Sequence, residues 1–120
     1  MSETARILVV DDEDMMREFL LEVFAEHEPL GAANGEEALA ILAQHPVDLV
    51  ISDLKMPGVD GLELLRRIKQ DYRETEVIIV TGYASLRTAS ECVAAGAAEF
   101  LKKPFTIKQI SAAVEKVLGA

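Results

Sequence analysis

Two kinds of apolar pattern alternate along the chain. Continuous apolar runs fall at 7–10 (ILVV), 47–52 (VDLVIS) and 77–80 (VIIV). Each is rich in Val and Ile and bounded by polar residues, the pattern of a strand covered on both faces. Weaker strand patterns fall at 29–33 (PLGAA) and 98–101 (AEFL). Between these runs the period becomes helical. Met16, Phe19, Leu20, Val23 and Phe24 line one helix face, recurring every three or four residues. Ala38, Ile41 and Leu42 make a shorter stripe, Leu64, Leu65 and Ile68 another, and Ile107, Ile110, Val114, Val117 and Leu118 the last. Thr106 with Gln109 has the spacing of a capping box; Asp60 with Glu63 and Asn34 with Glu37 imitate it with other cap residues. The stretch 85–95 (SLRTASECVAA) is small and polar, and reads as a helix closed by Gly96.

A strand followed by a helix, about five times over, predicts an α/β fold: a doubly wound, five-stranded parallel sheet with helices on both faces. The flavodoxin-like strand order 2-1-3-4-5 is the natural candidate. No linker, repeat or low-complexity stretch interrupts residues 1–120, which read as a single domain with one core.

Charge narrows the partners. The net charge is −9, from 12 Lys and Arg against 21 Asp and Glu. An acidic domain is not built to grip nucleic acid directly, nor an anionic membrane surface. Protein partners and cations remain. The single cysteine, Cys92, excludes an intrachain disulfide and permits a reducing compartment. The apolar run near the start is too short for a signal peptide, and no segment is long enough to span a bilayer. The expected location is the cytoplasm.

The stretch ILVVDDED at 7–14 then poses a problem. Four acidic residues follow the first strand without a spacer, and like charges about 4 Å apart repel by roughly 1–4 kcal/mol. Acids suit a helix start, which is the plain reading; a divalent-cation site is the sharper one. In doubly wound sheets ligands bind beyond the carboxyl ends of the strands. There the first strand presents Asp11 and Asp12, the third Asp53, the fourth Thr81 and the fifth Lys103. The predicted strand order makes these groups neighbours. Singly, each is ordinary turn, cap or surface chemistry; nothing structural requires all of them on one rim.

This constellation resembles the receiver domain of bacterial two-component response regulators, over essentially the whole chain. The residues that carry the resemblance are VVDDE at 9–13, SDLKMPGVDG at 52–61, TGYAS at 81–85 and LKKPF at 101–105. Within that family, DLKMPGVDGLELL and TGYASLRTA look most like receivers attached to transcription factors.

The resemblance implies roles residue by residue. Asp53 matches the nucleophile that takes a phosphoryl group from a phosphohistidine of a partner sensor histidine kinase or phosphotransfer protein. Carboxylates form acyl phosphates, and such transfer depends mainly on placement and charge neutralisation. Asp12 matches a direct Mg²⁺ (or Mn²⁺) ligand, Asp11 acts beside it directly or through water, and Asp53 and the backbone carbonyl of Lys55 complete the protein ligands. Mg²⁺ keeps several waters, so few protein ligands suffice. Without metal, mutual repulsion is expected to raise at least one carboxylate pKa. Lys103 matches the lysine that pairs with phosphoryl oxygens, and the family has a cis bond before the following Pro104. Thr81 matches the hydroxyl that draws its loop inward, and Phe100 the aromatic that switches with it. The family often has tyrosine at that position; phenylalanine lacks the hydroxyl. Lys55 and Tyr83, two residues after Asp53 and Thr81, border the phosphoryl position and are expected to tune the lifetime of the phosphorylated form.

Further expectations follow for the surface. The face of the fourth helix, fifth strand and fifth helix would change on phosphorylation and engage an output domain, a protein target or a second copy as a homodimer. Met15 and Phe105 are candidates for an apolar kinase-docking patch, and His27 and His45 are read as surface residues. The activity expected is a switch promoting its own phosphorylation and dephosphorylation, not a turnover enzyme. Alternatives are a receiver-like interaction module that is not phosphorylated and a Mg²⁺-dependent phosphatase of the haloacid dehalogenase type. The latter normally has a second aspartate where Lys55 stands, and a cap domain. A dinucleotide or P-loop enzyme would need a Gly-rich turn after the first strand.

Overall fold

The computed structural model describes residues 5–119. The order is β1 (Ile7–Val10), α1 (Asp14–Val23), a short 3-10 turn (Ala25–His27), β2 (Leu30–Ala32), α2 (Gly35–Gln44), β3 (Leu49–Asp53), α3 (Gly61–Asp71), β4 (Glu76–Thr81), α4 (Leu86–Ala94), β5 (Glu99–Lys102) and α5 (Ile107–Leu118). All strands pair in parallel, in the order β2-β1-β3-β4-β5. The expected fold class and strand order are both present.

The continuous apolar runs are explained by alternation across the sheet. Ile7, Val9, Leu49, Ile51, Ile78 and Val80 pack on one side with Leu20 of α1 and Ile110 and Val114 of α5. Leu8, Val10, Val50 and Ile79 pack on the other with Leu42 of α2, Leu64, Leu65 and Ile68 of α3, and Cys92 of α4. Successive strand residues point to opposite faces, so a strand covered on both favours apolar side chains at every position along its middle.

Strand limits differ from the sequence reading. β3 begins at Leu49 instead of 47 because Val47 and Asp48 are engaged elsewhere. The Val47 carbonyl accepts from the Thr75 hydroxyl at 2.7 Å, and the Asp48 carboxylate accepts from the Arg6 N–H at 2.8 Å. The same strand runs one residue further than expected, and Asp53 is its last member, paired with Val80. Asn34, Asp60 and Thr106 cap α2, α3 and α5 as expected. Ser85 and Thr88 form a capping box on α4 that the sequence reading did not identify. Ile107, assigned to the buried stripe of α5, is largely exposed. It is the first residue of that helix, where the backbone has only begun to turn over the core. His27 is half-buried and not a free surface residue: its Nδ1 lies 2.9 Å from the Ala5 carbonyl oxygen, and its ring meets Phe24 edge-on. His45 is exposed, as expected.

One close approach sets the end of β3. Asp60 accepts from the Glu63 N–H at 2.9 Å and starts α3, while the Gly61 N–H donates to the Leu54 carbonyl at 2.8 Å. A Cβ at Gly61 would overlap the Asp53 carbonyl oxygen and stand 2.7 Å from the Leu54 Cα. Both obstacles are backbone and cannot swing aside. Gly61→Ala is expected to destabilise the fold by about 1–3 kcal/mol, the usual cost of overpacking. Urea denaturation checks this, and a loss below about 0.5 kcal/mol would show that the turn yields freely.

Candidate functional site

The carboxyl ends of β1, β3 and β5 bring three side chains together. Asp11 follows β1 directly, and its N–H still donates to the Ala32 carbonyl of β2 at 3.1 Å. Its carboxylate is buried, with Oδ1 accepting from the Glu13 N–H at 2.9 Å and Oδ2 from Lys103 Nζ at 3.0 Å. Asp53 is 6% exposed. Its Oδ1 accepts from the Leu54 N–H at 2.7 Å, and its Oδ2 from the same Lys103 Nζ at 3.2 Å. Lys103 is aimed by its backbone, since its N–H donates to the Thr81 carbonyl at 2.8 Å. The Lys103–Pro104 bond is cis, in agreement with the resemblance.

Asp12 joins this group from the exposed side. Carboxylate oxygens of Asp11, Asp12 and Asp53 all lie within 4.8 Å of one another. Beside them is an open pocket of about 480 Å³, lined by Asp12, Glu13, Asp53 and Lys103, with Lys55 and Tyr83 at its exposed rim. The Lys55 ammonium sits 5.9 Å from the centre of the Tyr83 ring. A similar hollow of about 500 Å³ lies at the opposite end of the sheet, between residues 42–48 and 72–75. It is remote from the acidic cluster. The chemistry belongs with the smaller pocket, because there buried charge is concentrated.

Two expected residues make no side-chain bond to the carboxylates. Thr81 is buried at the end of β4, and its hydroxyl accepts from the Tyr83 N–H at 3.0 Å. Phe100 is half-buried in β5 and packs against the α2–α3–α4 side of the core. Met15 is 86% exposed. Phe105 is instead half-buried and packs against the α1–α5 side, so the apolar patch expected from the pair rests on Met15 alone. The sequence reading gave no role to Glu13, whose Oε1 is 3.9 Å from Lys103 Nζ, or to Arg17, which bonds the Asp11 carbonyl oxygen. The Asp14–Arg17 spacing on one helix face was the available signal for the latter.

The electrostatics follow from burial. The Asp53 carboxyl is held above its ordinary value, first because burial strips water from the charged form. Lys103 opposes this, Asp11 adds to it, and the Leu54 N–H opposes it. The expected rise of a carboxylate is therefore present, but repulsion between aspartates is not its leading cause. Lys103 is raised as well: burial works against its charge, and the bonds and attraction to Asp11 and Asp53 more than offset that. One ammonium thus holds two carboxylates while a third stands nearby. Hard oxygen donors in such a group suit a small divalent cation that keeps much of its water, and the residues present fit Mg²⁺.

Comparison with known proteins defines the class. The response regulator receiver domain family matches residues 7–115. The chain belongs to this family. It is 42% identical over 115 residues to sporulation initiation phosphotransferase F of Bacillus subtilis, covering 94% of this chain and 93% of that protein. It is 39% identical over 120 residues to the DNA-binding transcriptional regulator NtrC of Salmonella typhimurium, covering 94% of this chain but 24% of that one. The chain therefore spans nearly all of the first relative and about a quarter of the second. The crystal structure of a CheY-like response regulator receiver domain protein from Methanospirillum hungatei superposes with a TM-score of 0.92 at 29% identity, over 98% of this chain and 95% of that one. Receiver domains work with histidine kinases or phosphotransfer proteins in two-component signalling, and generally bind Mg²⁺ through acidic residues. Among the described residues no helix is long and apolar enough to cross a membrane.

The burial of Asp53 has a consequence for stability. A carboxyl raised by folding favours the fold below its ordinary value of 3.8, and that advantage is lost as pH rises through the folded-state value. Ionised Asp53 therefore opposes folding of the metal-free chain at neutral pH. Asp53→Asn is expected to raise the melting temperature of metal-free protein at pH 7 by a few degrees. The gain should shrink as pH falls through the raised folded-state value toward 3.8. Equal melting temperatures at pH 7 would show that Lys103 fully compensates the buried charge.

Proposed function

We propose that this chain, read over 1–120 as a single receiver domain, accepts a phosphoryl group on Asp53 from a histidine kinase or phosphotransfer protein and changes state as a result. One observation carries the reading: Lys103 Nζ bridges Asp11 and Asp53 at 3.0 and 3.2 Å, at the edge of a pocket that the Asp53 carboxylate lines. A buried carboxylate with its cationic partner at hand and an open approach is what an in-line displacement at phosphorus requires.

In the transfer, an Asp53 carboxylate oxygen attacks phosphorus. The phosphorus–nitrogen bond to the donor histidine breaks, and its electron pair stays on the imidazole. Lys103 is placed to exchange a carboxylate oxygen for a phosphoryl oxygen, keeping a charge-assisted bond throughout. Asp11, Asp12, Asp53 and the Lys55 carbonyl would hold Mg²⁺ (or Mn²⁺), which when bound supplies positive charge to the phosphoryl oxygens. The buried Thr81 hydroxyl accepts from the Tyr83 N–H, which leaves its hydrogen to donate. Donating it to a phosphoryl oxygen would draw Thr81, and with it residues 81–85, inward. Phe100, half-buried beside α4, would respond to that movement. The two states differ in contacts that only the phosphoryl group makes, which is the condition for a population shift.

The exposed Leu86 and Val93 of α4 and Ile107 of α5 support an output face over α4, β5 and α5. It would serve an output domain, a protein target or a second copy. The family's alliance with kinases is consistent with a cytoplasmic location. The non-phosphorylated interaction module is less favoured, because it leaves the shared hold of Lys103 on two buried carboxylates without a purpose. A phosphatase with a second catalytic aspartate is less favoured because Lys55 occupies that position.

Incubation with acetyl phosphate and Mg²⁺ tests the proposal by intact mass. One added phosphoryl group is expected, absent from Asp53→Asn and from a metal-free control. An adduct that survives in Asp53→Asn would move the acceptor elsewhere. The rim pair supplies a second test. Lys55 stacked on Tyr83 narrows the approach of water to the phosphoryl position, an interaction worth about 0.5–1 kcal/mol at an exposed site. Lys55→Ala and Tyr83→Ala are each expected to speed dephosphorylation about two- to fivefold. Unchanged decay in both would remove them from that role.

A further inference from the structure

The loop that carries Asp11 and Asp12 into α1 lacks the usual fastening of a helix start. The N-cap position is Glu13, and its side chain makes no cap hydrogen bond. The other β-to-α junctions with polar caps are fastened locally: Asn34, Asp60, Ser85 and Thr106 each accept an N–H three residues on. At α1 the Asp11 carboxylate takes the Glu13 N–H at 2.9 Å, and a second tie comes from one turn further along. Arg17 Nη1 donates to the Asp11 carbonyl oxygen at 2.8 Å, and Nη2 donates to Asp14 Oδ1 at 2.6 Å. The two anchor points stand on either side of Asp12 and Glu13. Asp12 itself makes no side-chain hydrogen bond or salt bridge among the described residues. Its direction is therefore set by the backbone on which it stands.

The guanidinium suits this task because its planar fork holds two donor nitrogens at a fixed spacing, one on the Asp11 carbonyl and one on the Asp14 carboxylate. Its route is also prepared. The Arg17 side chain is 19% exposed, against 79% for Asp14, so the arginine is the settled partner. Its stem passes over Gly31 of β2, where an added Cβ would stand 3.5 Å from Arg17 Cδ and 3.2 Å from Leu21 Cδ1. The stem thus lies along the edge strand at van der Waals distance on its way to the loop.

We propose that Arg17 is a positioning residue for the cation site: its guanidinium bridges the Asp11 carbonyl and the Asp14 carboxylate, and so holds Asp12 where its carboxylate meets those of Asp11 and Asp53. The inference rests on the reading of that cluster as a Mg²⁺ site. Arg17 touches neither the metal nor the phosphoryl group; it acts through the loop. Residues that orient metal ligands typically contribute about 10- to 100-fold to metal affinity.

The sign of the effect separates positioning from charge alone. Arg17 is a cation near an acidic cluster. If it were only a bystander, removing it would strengthen Mg²⁺ binding by relieving repulsion. If it positions Asp12, removing it weakens binding. The experiment is a Mg²⁺ titration of the full chain, followed by amide chemical shifts, for wild type, Arg17→Met and Arg17→Lys. Melting in chelator is measured alongside to follow the fold separately. Arg17→Met keeps the stem and loses the bridge, and is expected to bind Mg²⁺ about 10-fold or more weakly. Arg17→Lys keeps the charge but loses the fixed two-nitrogen fork, and is expected to fall between. Phosphorylation by acetyl phosphate should recover to within about threefold at saturating Mg²⁺, since the bridge enters through metal occupancy.

Unchanged or tighter binding in Arg17→Met overturns the inference, whatever happens to its melting temperature. If Arg17→Met does not fold, Arg17→Lys decides: wild-type affinity there overturns the inference, and a several-fold loss supports it. A wild type whose amides at Asp12 and Asp53 ignore Mg²⁺ would overturn the metal reading and this inference together. A responsive wild type with an indifferent Arg17→Met overturns this inference alone.

Discussion

Lys103 holding two buried carboxylates is the interaction on which the rest of the arrangement depends. Asp11 and Asp53 are almost without exposure, and burying one carboxylate is already costly unless it is paired and hydrogen-bonded. A single ammonium at 3.0 and 3.2 Å answers both. The compensation is incomplete, because Asp53 stays above its ordinary pKa with Lys103 in contact. The site keeps an unsatisfied demand for positive charge. That demand makes a cation welcome, and it is built from the same residues that would receive a phosphoryl group.

The fold makes this tension affordable by distributing rigidity around it. Asp53 is the last residue of the central strand β3, flanked by β1 and β4, so its backbone cannot drift. Gly61 lets the start of α3 close against the Asp53 carbonyl. Lys103 is fixed by a backbone bond to the end of β4. The Asp11–Asp14 loop has no cap bond from Glu13 and is tied by the Asp11 carboxylate on the Glu13 N–H and by Arg17. The other flank is exposed: Asp12, Lys55 and Tyr83 face solvent. A buried floor and an open rim suit a site that must bind, react and be read by partners of different sizes.

How far the site could be read in the sequence varied with how local its cause was. The strand runs and the caps at Asn34, Asp60 and Thr106 depend on near neighbours and were legible. So were the five polar groups at strand ends, once the parallel order placed them on one rim. Strand limits were less so: β3 starts at Leu49 because Arg6 and Thr75, far away in sequence, occupy the residues before it. Phe105 and His27 were misplaced for the same reason, since their partners lie in the α1–α5 packing and at Ala5. Ile107 kept the helical period yet stayed exposed, because periodicity assigns a face and not a depth.

The sequence by itself determined the alternation of strand and helix, the doubly wound sheet and the identity of the groups at its carboxyl edge. Those follow from side-chain period, cap chemistry and the handedness of parallel connections, all properties of short stretches. Only the tertiary structure decided which of those groups are paired and how charged each prefers to be. It joined Lys103 to Asp11 and Asp53 across 92 and 50 residues, turned the Thr81 hydroxyl to the Tyr83 N–H, and made burial outweigh repulsion at Asp53. Desolvation and ion pairing depend on what surrounds a group from every side, and a linear chain does not specify those surroundings until it has folded.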